Sequence, residues 1–175
     1  VAAQSGLVVL VPDAERIVGQ YRQRHDPSAA AGLSAHVTIL FPFADPAAID
    51  PTIEARLAET LADVAPFDAR FDTIGLFPGV LFLKPAPADP FEALTARVCN
   101  AFPEYPPYGG QFTDTVAHLT VGLFADEAAL EQVRRDVNGA LALAGPPQVR
   151  VGEVALVDNA DGLWVVQKSF RLGGR

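Results

Sequence analysis

Two short segments of this chain are nearly the same, and each opens with histidine: His36-Val37-Thr38-Ile39-Leu40 and His118-Leu119-Thr120-Val121-Gly122. Both alternate polar and apolar residues, the period of a strand with one face buried. His36 and Thr38 then share one face while Val37 and Ile39 share the other. His118 and Thr120 do the same against Leu119, Val121 and Leu123. The surroundings of the two segments repeat as well, and this constrains the fold most. An apolar run at 7–11 closes at Pro12, and another at 80–84 closes at Pro85. Helical patterns follow at 13–24 and 90–102, then loops with Asp26-Pro27 and Gly32 in one half and Pro103 to Gly110 in the other. The motif strands come next, at 36–41 and 117–124, followed by helices at 45–64, opened by Asp45-Pro46, and at 127–144. Further strands are expected at 67–76, 149–157 and 163–170, the first joined to 80–84 by the turn Phe77-Pro78-Gly79.

Each half therefore reads strand, helix, motif strand, helix, strand, with one more strand closing the chain. The second motif follows the first by 82 residues and the preceding strands are offset by about 73, so longer loops in the second half absorb the difference. A chain of 175 residues has the size of one domain, and this repeat is a duplicated α/β lobe rather than a solenoid of many short units. The lobes are expected at about 1–78 and 79–170, with 171–175 a loose tail. Two related lobes side by side leave a cleft at their junction, a common place for a site.

Half of the residues are apolar and 19% are charged, which places the chain among globular proteins. The formal net charge of −8 argues against a broad grip on duplex DNA or RNA, which depends on many Lys and Arg contacts to phosphate. A pocket for one nucleotide needs only a few donors. The single cysteine, Cys99, allows no intrachain disulfide and reads as a buried thiol on a helix. Neither a signal peptide nor a membrane-length apolar run is expected, so the default is a cytoplasmic monomer. Methionine is absent, an initiator included, so a trimmed or processed chain is expected.

Two of the three histidines stand in the motifs. A lone His-x-Thr is a weak signal, because strands favour Thr and a single His is often just a satisfied polar residue. Matching copies in a duplicated lobe point to chemistry. Transfer at a phosphodiester needs a base for the attacking oxygen and an acid for the leaving one. Imidazole, with an ordinary pKa of about 6.5, serves either role near neutral pH. A threonine hydroxyl two residues on lies beside each ring and is placed to donate to a phosphate oxygen.

The segments Ala35-His36-Val37-Thr38-Ile39-Leu40-Phe41-Pro42-Phe43 and Ala117-His118-Leu119-Thr120-Val121 resemble the paired motifs of the 2H phosphoesterases, the superfamily that includes bacterial 2′–5′ RNA ligase-like proteins and plant-type cyclic phosphodiesterases. Phe102-Pro103-Glu104-Tyr105-Pro106-Pro107-Tyr108-Gly109 is similar to the loop before their second motif. The resemblance spans nearly the whole chain. It implies a bilobal α+β fold, with two antiparallel-rich sheets and outer helices around a central groove that carries both motifs. It also implies a mechanism without metal or cofactor, with His36 and His118 as acid and base and Thr38 and Thr120 as phosphate ligands. Many relatives have Pro before the second His, where this chain has Ala117.

Tyr105 and Tyr108 are candidates for stacking on a base, with packing on the lobe as the alternative. His25 reads as a surface residue, and Phe41 and Phe43 as core or groove wall. Lys84, Lys168, Arg70 and Arg150 lie on or beside strands, but alternation alone assigns none of them to the cleft. His-x-Thr lacks a metal-pair spacing, and neither a Gly-rich phosphate loop nor a Gly-x-Ser-x-Gly elbow occurs. The resulting expectation is hydrolysis of a 2′,3′-cyclic or related cyclic nucleotide phosphate. The alternatives are 2′–5′ cleavage or ligation on RNA ends, and nucleotide binding without catalysis.

Overall fold

The computed structural model describes residues 2–110 and 116–173. It contains β1 (Ser5–Leu10), α1 (Glu15–His25), the short α2 (Pro27–Ala30), β2 (His36–Leu40), α3 (Pro51–Ala62), β3 (Phe67–Phe77), β4 (Val80–Ala86), α4 (Asp89–Ala101), β5 (Leu119–Leu123), α5 (Glu127–Ala144), β6 (Gln148–Val151), β7 (Glu153–Asp158) and β8 (Val165–Arg171). The expected helix at 45–64 divides in two. Pro46–Ala48 makes one tight turn, and α3 starts afresh at Pro51. A residue before proline is driven out of helical geometry, and Asp50 is extended accordingly (φ −120°). Its carboxylate then caps α3 by accepting from the Thr52 and Ile53 amides at 2.9 Å.

Among the described residues eight strands form two four-stranded antiparallel sheets, β2-β1-β7-β8 and β5-β4-β3-β6. The fold is thus α+β. Sheet membership corrects the lobe boundaries expected at 78/79. β3 joins the second sheet, and the last two strands return to the first, so neither lobe is a continuous half of the chain. The expected single strand at 149–157 breaks at Gly152: β6 pairs with β3 in one sheet, β7 with β1 in the other. The tail also begins later than expected. Arg171 ends β8, Leu172 is buried, and the Leu172 amide donates to the Gly152 carbonyl at 2.8 Å. Gly174 and Arg175 lie outside the described residues.

Each motif strand is the outer strand of its sheet, and β2 and β5 lie against each other. The helices cross between the lobes: α1 packs on β5 and α4 on β2. One apolar core therefore runs behind both motifs, joining Val37 and Ile39 to Leu119 and Val121 through Val18, Phe91 and Leu94. Burying side chains of this size contributes about 1.5–3 kcal/mol each. The backs of the two motif strands are anchored in common.

Candidate active site

The two sheets present their motifs with the same backbone device. In the first, Leu10, Val9 and Val8 pair with His36, Val37 and Thr38, then the register slips so that Leu7 meets Leu40 and Ile39 is the extra residue. In the second, Leu83 and Phe82 pair with Leu119 and Thr120, then Leu81 meets Gly122 and Val121 is extra. A bulge bends its strand and re-aims the side chains beyond it. Plain alternation put Leu123 on the packed face; the bulge turns it outward, 51% exposed. Gly122 accepts the close approach of α1, since a Cβ there would lie 2.6 Å from the Cβ of His25.

Both imidazoles are held the same way. His36 Nδ1 lies 2.8 Å from the Ser34 carbonyl oxygen, and His118 Nδ1 lies 2.7 Å from that of Val116. A carbonyl oxygen only accepts, so each Nδ1 carries the proton, and Nε2 is the ring atom left for a substrate. Burial pushes the half-buried His36 ring down to about 4. Its bond to Ser34 opposes this shift, while the neighbouring charges of Arg22 and His118 add to it and that of Asp26 resists it. β2 begins at His36, β5 directly follows His118, and the two strands lie against each other.

Thr38 shares a small crevice with Phe41, Pro107, Tyr108, Val116 and Ala117, so the first motif and the run into the second line one space. The Tyr108 amide donates to the Phe41 carbonyl at 2.7 Å, tying this loop to the end of β2. Tyr108 has a left-handed backbone (φ 50°), unusual for a bulky residue, and burial pushes its hydroxyl pKa up. Tyr105 is placed elsewhere: its ring packs on Phe43 and Phe102, with centroids at 5.0 and 6.5 Å. Phe43 belongs to that core, whereas Phe41 borders the crevice and meets Trp164 edge-on at 6.1 Å. His25 is neither in the crevice nor a free surface residue, since its ring lies 4.5 Å from that of Phe124. Cys99 is partly buried against the core, and burial pushes its thiol pKa up.

Several contributors carry no motif in the sequence. Phe77 and Phe82 wall His118, each with its ring centroid 5.4 Å from the imidazole. Behind His36 lies an ionic cluster in which Arg22 and Asp26 are buried and Glu15 reaches the surface. The Arg22 guanidinium donates to Asp26 at 2.9 Å, to Glu15 at 3.3 Å and to the Leu33 carbonyl at 3.2 Å. Glu15 in turn accepts from the Ala35 amide at 2.5 Å. A glutamate, an arginine and an aspartate at positions 15, 22 and 26 of a helical stretch gave only an i,i+4 signal, which ordinarily means a solvated face. Among the described residues no group of three or more His, Cys, Asp or Glu stands together as metal ligands. No helix among them is long and apolar enough to cross a membrane.

A family model described as the 2′-5′ RNA ligase superfamily matches residues 10–163, which take in both motifs. This chain belongs to the 2′-5′ RNA ligase superfamily. The superfamily fold is also found in solved structures. TT0787 of Thermus thermophilus is 20% identical, with 98% of this chain and 99% of that one covered and a TM-score of 0.65. Escherichia coli LigT in apo form is 18% identical over 98% and 99%, with a TM-score of 0.60. LigT complexed with 3′-AMP is 15% identical over 97% of both chains, also at 0.60. No curated protein matches the chain.

Proposed function

We propose that this superfamily member is a phosphodiesterase that opens 2′,3′-cyclic or related cyclic nucleotide phosphates, with His36 and His118 as its acid–base pair. The reading is carried by one observation. Matching bulged strands present two imidazoles, each with Nδ1–H tied to its own backbone and Nε2 left for chemistry. His36, held low by burial, is neutral at pH 7 and takes the proton from the attacking water. The water oxygen bonds to phosphorus as one ring P–O bond breaks, and His118 gives its proton to the departing ribose oxygen. Thr38 and Thr120 donate to the non-bridging oxygens. Tyr108 borders this space beside Thr38 and is the candidate to pack on a base. Its neighbour Tyr105 does not join it. The LigT complexes with 3′-AMP and ATP support a nucleotide as ligand.

The family description favours a second reading, 2′–5′ cleavage or ligation on RNA ends. The same groups would act on a larger partner. The test is turnover of 2′,3′-cyclic nucleotides and a 2′–5′ dinucleotide with chelator present. Chelator-resistant conversion of the cyclic compound to a single monoester is expected. Conversion of the dinucleotide alone, falling steeply with salt, would favour the RNA-end reading. Metal-dependent turnover, or none of either substrate, would contradict both.

A further inference from the structure

The near-symmetry of the two motifs breaks at one position in the groove. Across the ladder from His36 stands Leu10. In the other sheet, the pairing of Phe82 with Thr120 and Leu83 with Leu119 matches that of Val8 with Thr38 and Val9 with Val37. One step further along, Lys84 takes the place of Leu10 and His118 that of His36. An apolar residue holds one of these two positions, and a lysine holds the other.

The setting of Lys84 is specific. It pairs across β4–β3 with Thr73, next to the Phe82–Gly75 pair. A Cβ on Gly75 would come within 2.2 Å of the Phe82 ring and 2.9 Å of Lys84 Cε. The lysine stem therefore lies beside that ring over bare β3 backbone, on the face where Phe82 meets His118. Lys84 is exposed, and among the described residues it has no ion-pair or hydrogen-bond partner. Three other strand cations are matched: Arg70 with Asp72 at 2.7 Å, Arg150 with Asp68 at 2.9 Å, and Lys168 with Glu54; Arg171 ends β8 in the other sheet. In a chain of formal charge −8, an unmatched cation on this face is placed to meet an anion that arrives with the substrate.

We propose that Lys84 binds a second phosphate of the substrate, beyond the one being cleaved, on the His118 side of the groove. Its stem leans over β3, away from β5. This carries the ammonium between one and two strand spacings, about 5–10 Å, from the His118–Thr120 edge, too far to share the reacting phosphate. Neighbouring phosphates of one nucleotide chain are separated on this scale. The inference rests on the phosphodiesterase reading and narrows its substrate class. The preferred cyclic phosphate carries another phosphate, either on the 5′ position of a mononucleotide or between two nucleotides.

The test compares adenosine 2′,3′-cyclic phosphate with its 5′-phosphorylated form and with a dinucleotide ending in a 2′,3′-cyclic phosphate, using wild type, Lys84→Gln and Lys84→Arg. The quantity read is the ratio of kcat/KM between a two-phosphate and the one-phosphate substrate. Lys84→Gln is expected to lower that ratio about 10-fold or more, as loss of a charge-assisted contact does, with Lys84→Arg retaining most of it. The substrate whose ratio falls identifies the source, a 5′-phosphate or an internucleotide phosphate. An unchanged ratio for both would overturn the inference while turnover itself upholds the phosphodiesterase reading. Calorimetry with adenosine 3′,5′-bisphosphate and 3′-monophosphate gives a readout independent of turnover. A bisphosphate preference lost in Lys84→Gln supports the inference even if no cyclic substrate is consumed, and absence of that preference in wild type overturns it.

Discussion

The His36 and His118 sides of the groove share a backbone and differ in everything that surrounds it. Both have an outer strand with the same bulge, and both tie Nδ1 to the carbonyl two residues back. Around His36 there is a partly buried ion cluster that clamps residues 33 and 35, with Leu10 across the ladder. Around His118 there are two phenyl rings, with a lysine in the matching place. Duplication repeats the presentation of an imidazole. Divergence of the neighbours gives the two rings different surroundings, as the proposed acid–base pair requires. Acid–base chemistry needs one ring neutral and the other protonated in the same turnover, and identical surroundings would give both rings the same state.

Removing the clamp should have the largest effect on this contrast. Arg22 is 1% exposed, so Arg22→Met leaves Asp26 buried without its partner and should cost about 3–5 kcal/mol in denaturant unfolding. The pair Arg22→Met with Asp26→Leu should recover much of that loss. If the single variant were as stable as wild type, the cluster would not be what holds the first motif. A smaller effect is expected at the hydroxyls. Thr38→Val and Thr120→Val should each lower kcat/KM about 10- to 100-fold, the range for a lost bond to a charged group. Unequal losses would show on which side the phosphate sits.

The pH dependence of stability should show the most gradual effect. The folded state holds His36 near 4, below its ordinary value, so the unfolded chain binds the extra proton between about pH 6.5 and 4. The contribution of His36 is fully present above that window and falls as the pH drops through it, by at most about 1.4 kcal/mol per pH unit. His36→Gln should flatten the acid limb of an unfolding curve. An acid limb unchanged by the substitution would mean that His36 is not held neutral.

Much of this arrangement was legible in the sequence, because strand and helix periods, proline stops and the repeat are local signals. The paired motifs stood out for the same reason. The remaining features depend on which strands meet. Residues 149–157 carry one continuous strand pattern, and nothing local shows that Gly152 passes the chain from one sheet to the other. The bulges at Ile39 and Val121 are products of pairing, which is why strict alternation misplaced Leu123. Lys84 and Lys168 look alike as strand lysines. One lies beside the Phe82 ring over β3 and the other pairs with Glu54 on α3, a distinction that appears only once helices cover one face. Tyr105 and Tyr108 lie in one loop without periodicity, and packing alone separates them.

The division of labour between the two histidines is tested most directly by a leaving group that needs no acid. His36→Ala and His118→Ala are compared on a 2′,3′-cyclic nucleotide and on a nucleotide p-nitrophenyl phosphodiester, with folding checked by circular dichroism. Each variant should lose about 10²–10⁴-fold on the cyclic substrate. On the nitrophenyl ester, His118→Ala should recover to near wild type while His36→Ala stays impaired. Near-normal turnover of the cyclic substrate by either variant would contradict the two-histidine account, and recovery of His36→Ala instead would reverse the roles assigned to the two sides.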